Sequence, residues 1–181
     1  MLADATEMTT LIPAWVDGAL APVEKLEVHQ RGLRHKAVSV FVFCRGETLI
    51  QQRAAQKYHT PGLWANACCT HPAWDEDDAA CAARRLYQEL GLSGLQLDPR
   101  GTVEYRADVG GGLVEHERVA LFAATATATD RPVPKPDTSE VAATRWVSLA
   151  GLRHEIAIAP DQFTPWLRIY MERHGDLIAA G

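Results

Sequence analysis

Between Val38 and Phe43 the chain alternates β-branched and aromatic residues, with Ser39 among them, and reads as a strand. Arg45-Gly46-Glu47 supplies a turn, and Thr48 to Arg53 returns as the hairpin partner. Gln56 to Trp64, containing Pro61-Gly62, reads as a loop. From Asp77 to Leu90 the pattern becomes helical. Ala79, Ala83, Leu86 and Leu90 form the predicted apolar stripe, Asp75 to Asp78 lie near the positive end of the helix dipole, and Gly91 is placed to stop the helix. Thr102 to Tyr105 and Val114 to Thr127 are further predicted strands, joined across Gly110-Gly111-Gly112. Arg131 to Pro136 is a rigid, proline-rich surface loop. Thr144 to Val147 makes a short strand, Leu149 to His154 starts a short helix, and Pro165 to His174 closes the chain as a helix with proline in its first turn. There is no internal repeat. The fold class expected is α/β in composition and α+β in arrangement, with strands outnumbering helices.

Size and charge narrow the function classes. A chain of 181 residues with 47% hydrophobic content supports one domain with a real core, expected over residues 10–181, behind a flexible N-terminal tail at residues 1–9. A net charge of -5 argues against a nucleic-acid or anionic-membrane partner, which needs a basic surface. No run approaches the roughly 20 apolar residues of a membrane span. Met1 to Met8 lacks the positive start and apolar core of a signal peptide, so a cytoplasmic location is expected. Cys44, Cys68, Cys69 and Cys81 fit no disulfide framework and read as reduced thiols.

Two segments carry most of the candidate chemistry. Asn66-Ala67-Cys68-Cys69-Thr70-His71-Pro72 offers a thiol and an imidazole two residues apart. Glu115 and Glu117 stand at i and i+2, so on a strand both point to one face while His116 points to the other. A thiol and a carboxylate lining one pocket can deliver a proton to one side of a substrate and remove one from the other. His29, His35 and His71 flank predicted strands, and three imidazoles with two carboxylates suit Mn²⁺, Zn²⁺ or Fe²⁺ better than Mg²⁺. The ordinary reading of any single histidine is a surface or hydrogen-bonded residue, and His59, His154 and His174 are read that way. Cys69 lies in a polar loop beside a candidate ligand, which suits a reactive thiol; Cys44 and Cys81 read as small core hydrophobes. Lys25, Arg53, Lys57 and Arg85 can surround a diphosphate, while Trp166 and Tyr105 read from composition alone as core.

The predicted helix resembles the Nudix signature, G-x5-E-x7-R-E-U-x-E-E-x-G-U with U aliphatic. Glu76, Arg84, Leu86, Glu89, Gly91 and Leu92 fall in register. Thr70 replaces the opening glycine, Arg85 the next glutamate, and Gln88 the first of the paired glutamates. A Nudix hydrolase gathers carboxylates around Mg²⁺ to activate water, and Arg85 puts positive charge where one of them belongs. The fold signal survives and the hydrolase signal does not.

A longer ordered set resembles the type I isopentenyl-diphosphate Δ-isomerases, Nudix-fold enzymes of isoprenoid synthesis. It comprises Glu24-Lys25, His29, His35, Arg53 to Lys57, Pro61 to Asn66, Cys69 to Pro72, Tyr87 to Gly91, Glu104 to Ala107, Glu115 to Glu117 and Phe163 to Trp166. The resemblance implies a Nudix-type mixed β-sheet sandwiched between helices. It implies Cys69 and Glu117 as the catalytic pair, with Tyr105 hydrogen-bonded near Glu117 and Trp166 facing a tertiary carbocation. It further implies a first metal, Mn²⁺ or Zn²⁺, on His29, His35, His71, Glu115 and Glu117. Mg²⁺ is expected at Glu89, bridging to a diphosphate neutralised by Lys25, Arg53, Lys57 and Arg85. The expected partner is a small-molecule diphosphate, acted on by a monomer or weak homodimer. The competing readings are a Nudix diphosphate hydrolase and a non-catalytic metal-binding or thiol-sensing module.

Overall fold

Strand β3 (His35–Cys44) organises the molecule, described by a computed structural model over residues 10–127 and 129–179. The expected tail at residues 1–9 lies outside the described residues. Strand β8 (Leu113–Thr125) runs parallel along one edge of β3, in register from His35↔Glu117 to Phe43↔Thr125. The other edge is shared by three short pairings. Strand β1 (Leu11–Val16) meets β3 at Ala14↔His35, β6 (Cys68–Thr70) pairs across Ser39↔Cys69, and β4 (Glu47–Arg53) pairs at Phe43↔Thr48. Beyond these lie β2 (Ala19–Glu24) against β1, β5 (Trp64–Asn66) and β9 (Val141–Ser148) against β4, and β7 (Asp98–Gly110) against β8. The result is one mixed, nine-stranded sheet.

Side-chain alternation on β3 divides the core in two. Val38, Val40 and Val42 face helix α2 (Asp78–Leu90), packing with Cys81, Ala82, Leu86 and Leu90. Ala37 and Phe41 face the opposite way, into a cluster with Val103, Leu121, Leu167 and Tyr170. That second face is covered by α3 (Leu149–Ile158), α4 (Pro165–Arg173) and α5 (Gly175–Ala179), which supply Leu152, Leu167 and Ile178. Each fully buried leucine here contributes roughly 2 kcal/mol by apolar burial. Helices on both faces of a mixed sheet are the sandwich expected.

Helix α2 matches its predicted span because both of its ends carry specific chemistry. The Asp77 carboxylate accepts from the N–H groups of Ala79 and Ala80 at 3.0 and 3.1 Å, satisfying two donors the helix leaves open. Gly91 ends it at φ 65°, where a side chain would be strained and its Cβ would meet Lys135 at 3.0 Å. The predicted stripe was displaced, however. Ala79 and Ala83 are exposed, and the buried face is Cys81, Ala82, Leu86, Glu89 and Leu90. Alanine is too weakly apolar to orient a helix against leucine and cysteine.

Other sequence expectations fell short. The β1–β2 hairpin, turning at Asp17-Gly18, was not anticipated; Pro13 and Pro22 face one another in it, and proline is tolerated there because the pair lies at the sheet edge. Helix α1 (Lys25–Arg31) carries His29, which therefore sits on a helix rather than beside a strand. Cys69 lies on β6 rather than in a loop. Strands β7, β8 and β9 are longer than, or offset from, the segments predicted. No helix is long and apolar enough to cross a membrane among the described residues.

Candidate active site

The parallel β3–β8 ladder sets His35 directly beside Glu117, and the strand period puts Glu115 and Glu117 on that same face. Helix α1 brings His29 to them, and the chain leaving β6 brings His71. His29, His35, His71 and Glu115 each present one ligand atom, all within 4.8 Å of one another. Nε2 of His29 lies 3.0 Å and Nε2 of His35 lies 3.2 Å from Glu115 Oε2, while His71 Nε2 is 2.9 Å from Glu117 Oε1. The six-residue step from His29 to His35 is spanned by the end of α1 and a left-handed Gly32 at φ 59°.

Tautomer geometry tests whether this cluster suits a cation. His29 Nδ1–H donates to the Lys25 carbonyl at 2.5 Å, and His35 Nδ1–H to the Leu33 carbonyl at 2.8 Å. In a neutral ring this leaves Nε2 bare, with its lone pair aimed at carboxylate oxygens and at a neighbouring imidazole: His35 Nε2 and His71 Nε2 are 3.2 Å apart. His29 is fully buried, and its Nε2 makes no hydrogen bond among the described residues. Lone pairs crowded together in a buried site repel unless positive charge sits among them. The donor set fits a divalent metal, and the outward Nδ1 bonds are the supports such ligands need.

The electrostatics of these side chains point the same way. Burial opposes a charge on His35, but hydrogen bonds to Glu115 and Glu117 outweigh it and raise its pKa to about 10. Burial also opposes the Glu115 carboxylate, yet the His29 charge and the close contacts with His29, His35 and His59 hold it well below the usual range. The Glu117 pKa is likewise lowered: burial and the Glu115 charge oppose ionisation, and the bonds from His35 and His71 prevail. Carboxylates buried this deeply demand positive charge beside them.

The thiol occupies a second, separate cradle. Cys69 Sγ donates to Asn66 Oδ1 at 2.9 Å and lies 3.0 Å from Ser39 Oγ. Asn66 Nδ2 in turn donates to Ser39 Oγ and to the Val40 carbonyl, each at 2.9 Å, which fixes the amide. With its own proton directed to Asn66, the sulfur can only accept in its contact with Ser39. Burial pushes the Cys69 thiol up, only partly offset by Ser39, so it stays neutral. Cys68 faces the opposite way, into the core under α2.

One cleft unites these parts. It is lined by Cys69, His71, Tyr105, Glu115, Glu117 and Trp166 together with Lys25, Arg53, Lys57, Arg85 and Glu89. Every candidate site residue read from the sequence thus lines the cleft or belongs to the histidine cluster beneath it. Arg85 donates to Glu89 Oε1 at 2.8 Å, and Gln51 donates to Glu89 Oε2 at 2.9 Å. Lys57 pairs with Glu140 at 2.7 Å, and the Arg53 guanidinium lies 5.4 Å from the centre of the Trp166 ring. Glu76, the first acidic position of the signature, is tied by Arg84 at 2.6 Å and does not line the cleft. Sequence reasoning gave no role to Ser39, Asn66, Gln51, Glu140 or His59; Asn66 stood within the quoted motifs without one, the others belong to no recognisable spacing, and His59 was read as an ordinary histidine.

The residues 33–167 match the family model described as NUDIX domain. The chain is 60% identical over 171 residues, 94% of this chain and 96% of the relative, to a protein named isopentenyl-diphosphate Delta-isomerase from Dinoroseobacter shibae. It is 60% identical over 168 residues to the protein of that name from Rhodobacter capsulatus, covering 93% and 94% of the two chains. The chain belongs to the isopentenyl-diphosphate Delta-isomerase family of Nudix proteins. Among solved structures, the DR0079 protein from Deinococcus radiodurans superposes with a TM-score of 0.71 at 13% identity, over 90% of this chain and 97% of that one, a likeness of fold alone. The isomerase family and the Nudix fold read from the sequence are both borne out.

Proposed function

We infer that this chain interconverts isopentenyl diphosphate and dimethylallyl diphosphate. The observation that carries the reading is one cleft holding a neutral thiol and a buried carboxylate, in a chain matched along nearly its whole length by proteins named for that isomerase. Moving a double bond requires a proton added at one carbon and another removed two carbons away. Protonation of the terminal alkene leaves a tertiary carbocation, and loss of a C2 proton completes the shift. Cys69 and Glu117 are the pair assigned to these transfers. The reaction is reversible, so each group acts as acid in one direction and as base in the other.

Tyr105 serves Glu117: its hydroxyl donates to Glu117 Oε2 at 2.5 Å, fixing which lone pair faces the cleft. Ser39 and Asn66 orient the sulfur. Trp166 offers an electron-rich face to the cation, worth about 2 kcal/mol where water is excluded. Lys25, Arg53, Lys57 and Arg85 are assigned to the diphosphate, with Arg positions suited to bidentate contact. His29, His35, His71, Glu115 and Glu117 would hold Mn²⁺ or Zn²⁺, and Glu89 would hold Mg²⁺ with the diphosphate. Bound there, the cations neutralise the buried carboxylates and the diphosphate charge. The reading takes residues 10–181 as one cytoplasmic isomerase unit, monomeric or weakly dimeric, with no nucleic-acid or membrane partner.

Hydrolysis is disfavoured by the same helix that carries the family signature. Arg85 and Gln88 replace two of its carboxylates, and Arg84 draws a third, Glu76, away from the cleft. Incubation with isopentenyl diphosphate, followed by phosphorus and proton NMR, tests the assignment. Dimethylallyl diphosphate with no free phosphate is expected; phosphate release would favour a hydrolase. Metal binding without turnover, in protein reloaded with Mn²⁺ or Zn²⁺ and supplied with Mg²⁺, would favour a non-catalytic module.

A further inference from the structure

His59 lies in the connection between β4 and β5, almost fully buried, against three parts of the cleft at once. Its Nε2 is 3.2 Å from Glu115 Oε1. Its Nδ1 is 3.4 Å from Arg53 Nη2 and 3.2 Å from Thr60 Oγ1, and its carbonyl accepts from Arg53 Nη2 at 3.2 Å. Its ring meets Trp166 edge-on, with centroids 6.0 Å apart.

These contacts favour one tautomer. A guanidinium has donors only and an ionised carboxylate only acceptors, so Nδ1, facing Arg53, accepts, and Nε2, facing Glu115, carries the ring proton. His29 and His35 are wired the other way, with Nδ1–H bonded outward and Nε2 bare. His59 is therefore not a fourth imidazole of the ligand set. It is a donor aimed at the far oxygen of Glu115, one of the two carboxylates assigned to the set.

We propose that His59 is a positioning residue for Glu115: its Nε2–H holds Oε1, leaving Oε2 alone to face His29, His35 and His71. The division of the carboxylate is visible in the distances, since the contacts of His29, His35 and His71 with Glu115 all fall on Oε2, at 3.0, 3.2 and 3.7 Å. Arg53, on the opposite side of the ring, keeps the donor pointing at Glu115. One imidazole thus links the arginine assigned to the diphosphate with the carboxylate assigned to the metal. The proposal rests on the reading of the histidine cluster as a metal site.

The test is the Zn²⁺ affinity of the full chain, stripped with a chelator and then titrated in competition with a chromophoric chelator. His59→Leu removes the donor at similar volume. His59→Gln carries an amide N–H close to the position of Nε2 and keeps it. Supporting groups of this kind change metal affinity by about 10- to 100-fold, and that weakening is expected for His59→Leu, with His59→Gln restored to within a few-fold of wild type. If His59→Leu does not fold, His59→Asn, whose amide stops short of Glu115, takes its place. Wild-type affinity in the variant lacking the donor would overturn the proposal, as would a glutamine variant no better than leucine, which would indicate packing alone. No Zn²⁺ binding by the wild-type chain would overturn the metal reading itself, and the proposal with it.

Discussion

Tyr105 and Glu117 face one another directly in the β7–β8 ladder, and the Tyr105 hydroxyl donates to Glu117 Oε2 across that pair at 2.5 Å. Cross-strand partners share a face of the sheet, so this bond is built into the register. Burial keeps the phenol protonated, pushing its pKa well above the usual range. Tyr105→Phe keeps the ring and removes only the donor. A hydrogen bond to a charged group is worth about 1.5–3 kcal/mol, so kcat is expected to fall by about 10- to 100-fold. Steady-state kinetics would show KM nearly unchanged; a loss confined to KM would remove Tyr105 from the chemistry.

Cys69→Ala deletes one of the two groups assigned to proton transfer and leaves the backbone pairing between β6 and β3 in place. Loss of such a group costs about 10²- to 10⁴-fold in rate. Isomerisation should be nearly abolished while circular dichroism and substrate binding stay close to wild type. Turnover within a few-fold of wild type would show that another group carries the proton.

Trp166 is almost fully buried, yet it lines the cleft and lies beside Arg53. If its ring stabilises a charge that exists only near the transition state, its loss must appear in kcat. Trp166→Leu is expected to lower kcat by about 30-fold, the equivalent of about 2 kcal/mol, with a smaller change in KM. An effect on KM alone would reduce Trp166 to packing.

Asp77 caps α2 through Ala79 and Ala80 and stands apart from the cleft. Asp77→Ala should destabilise the fold by about 1 kcal/mol. Chemical denaturation would register this as a lower midpoint with an unchanged slope. An unshifted midpoint would mean that water satisfies the helix end equally well.

The legible parts of this molecule were those with a local physical code. Helix α2 could be read to its ends because Asp77 and Gly91 are residues whose chemistry starts and stops helices. The hairpin of β3 and β4 was marked by Arg45-Gly46, both with positive φ. Strands of three residues, such as β5 and β6, are too short for alternation to register. The β1–β2 hairpin was hidden by its two prolines, which argue against a strand anywhere but an edge. In the site, the acidic, thiol and imidazole residues announced themselves by type and order. His59 did not, because its role depends on a tautomer set by Arg53 and on a carboxylate 56 positions further along, neither of which leaves a spacing to read.

If the double bond moves by proton exchange with groups in this cleft, hydrogen from the solvent must enter the product. The most direct measurement incubates the metal-loaded protein with isopentenyl diphosphate and Mg²⁺ in D₂O and follows it by proton NMR. Dimethylallyl diphosphate carrying deuterium in its newly formed methyl group is expected, with no such product from Cys69→Ala. Product without deuterium, or free phosphate in place of the isomer, would contradict such exchange.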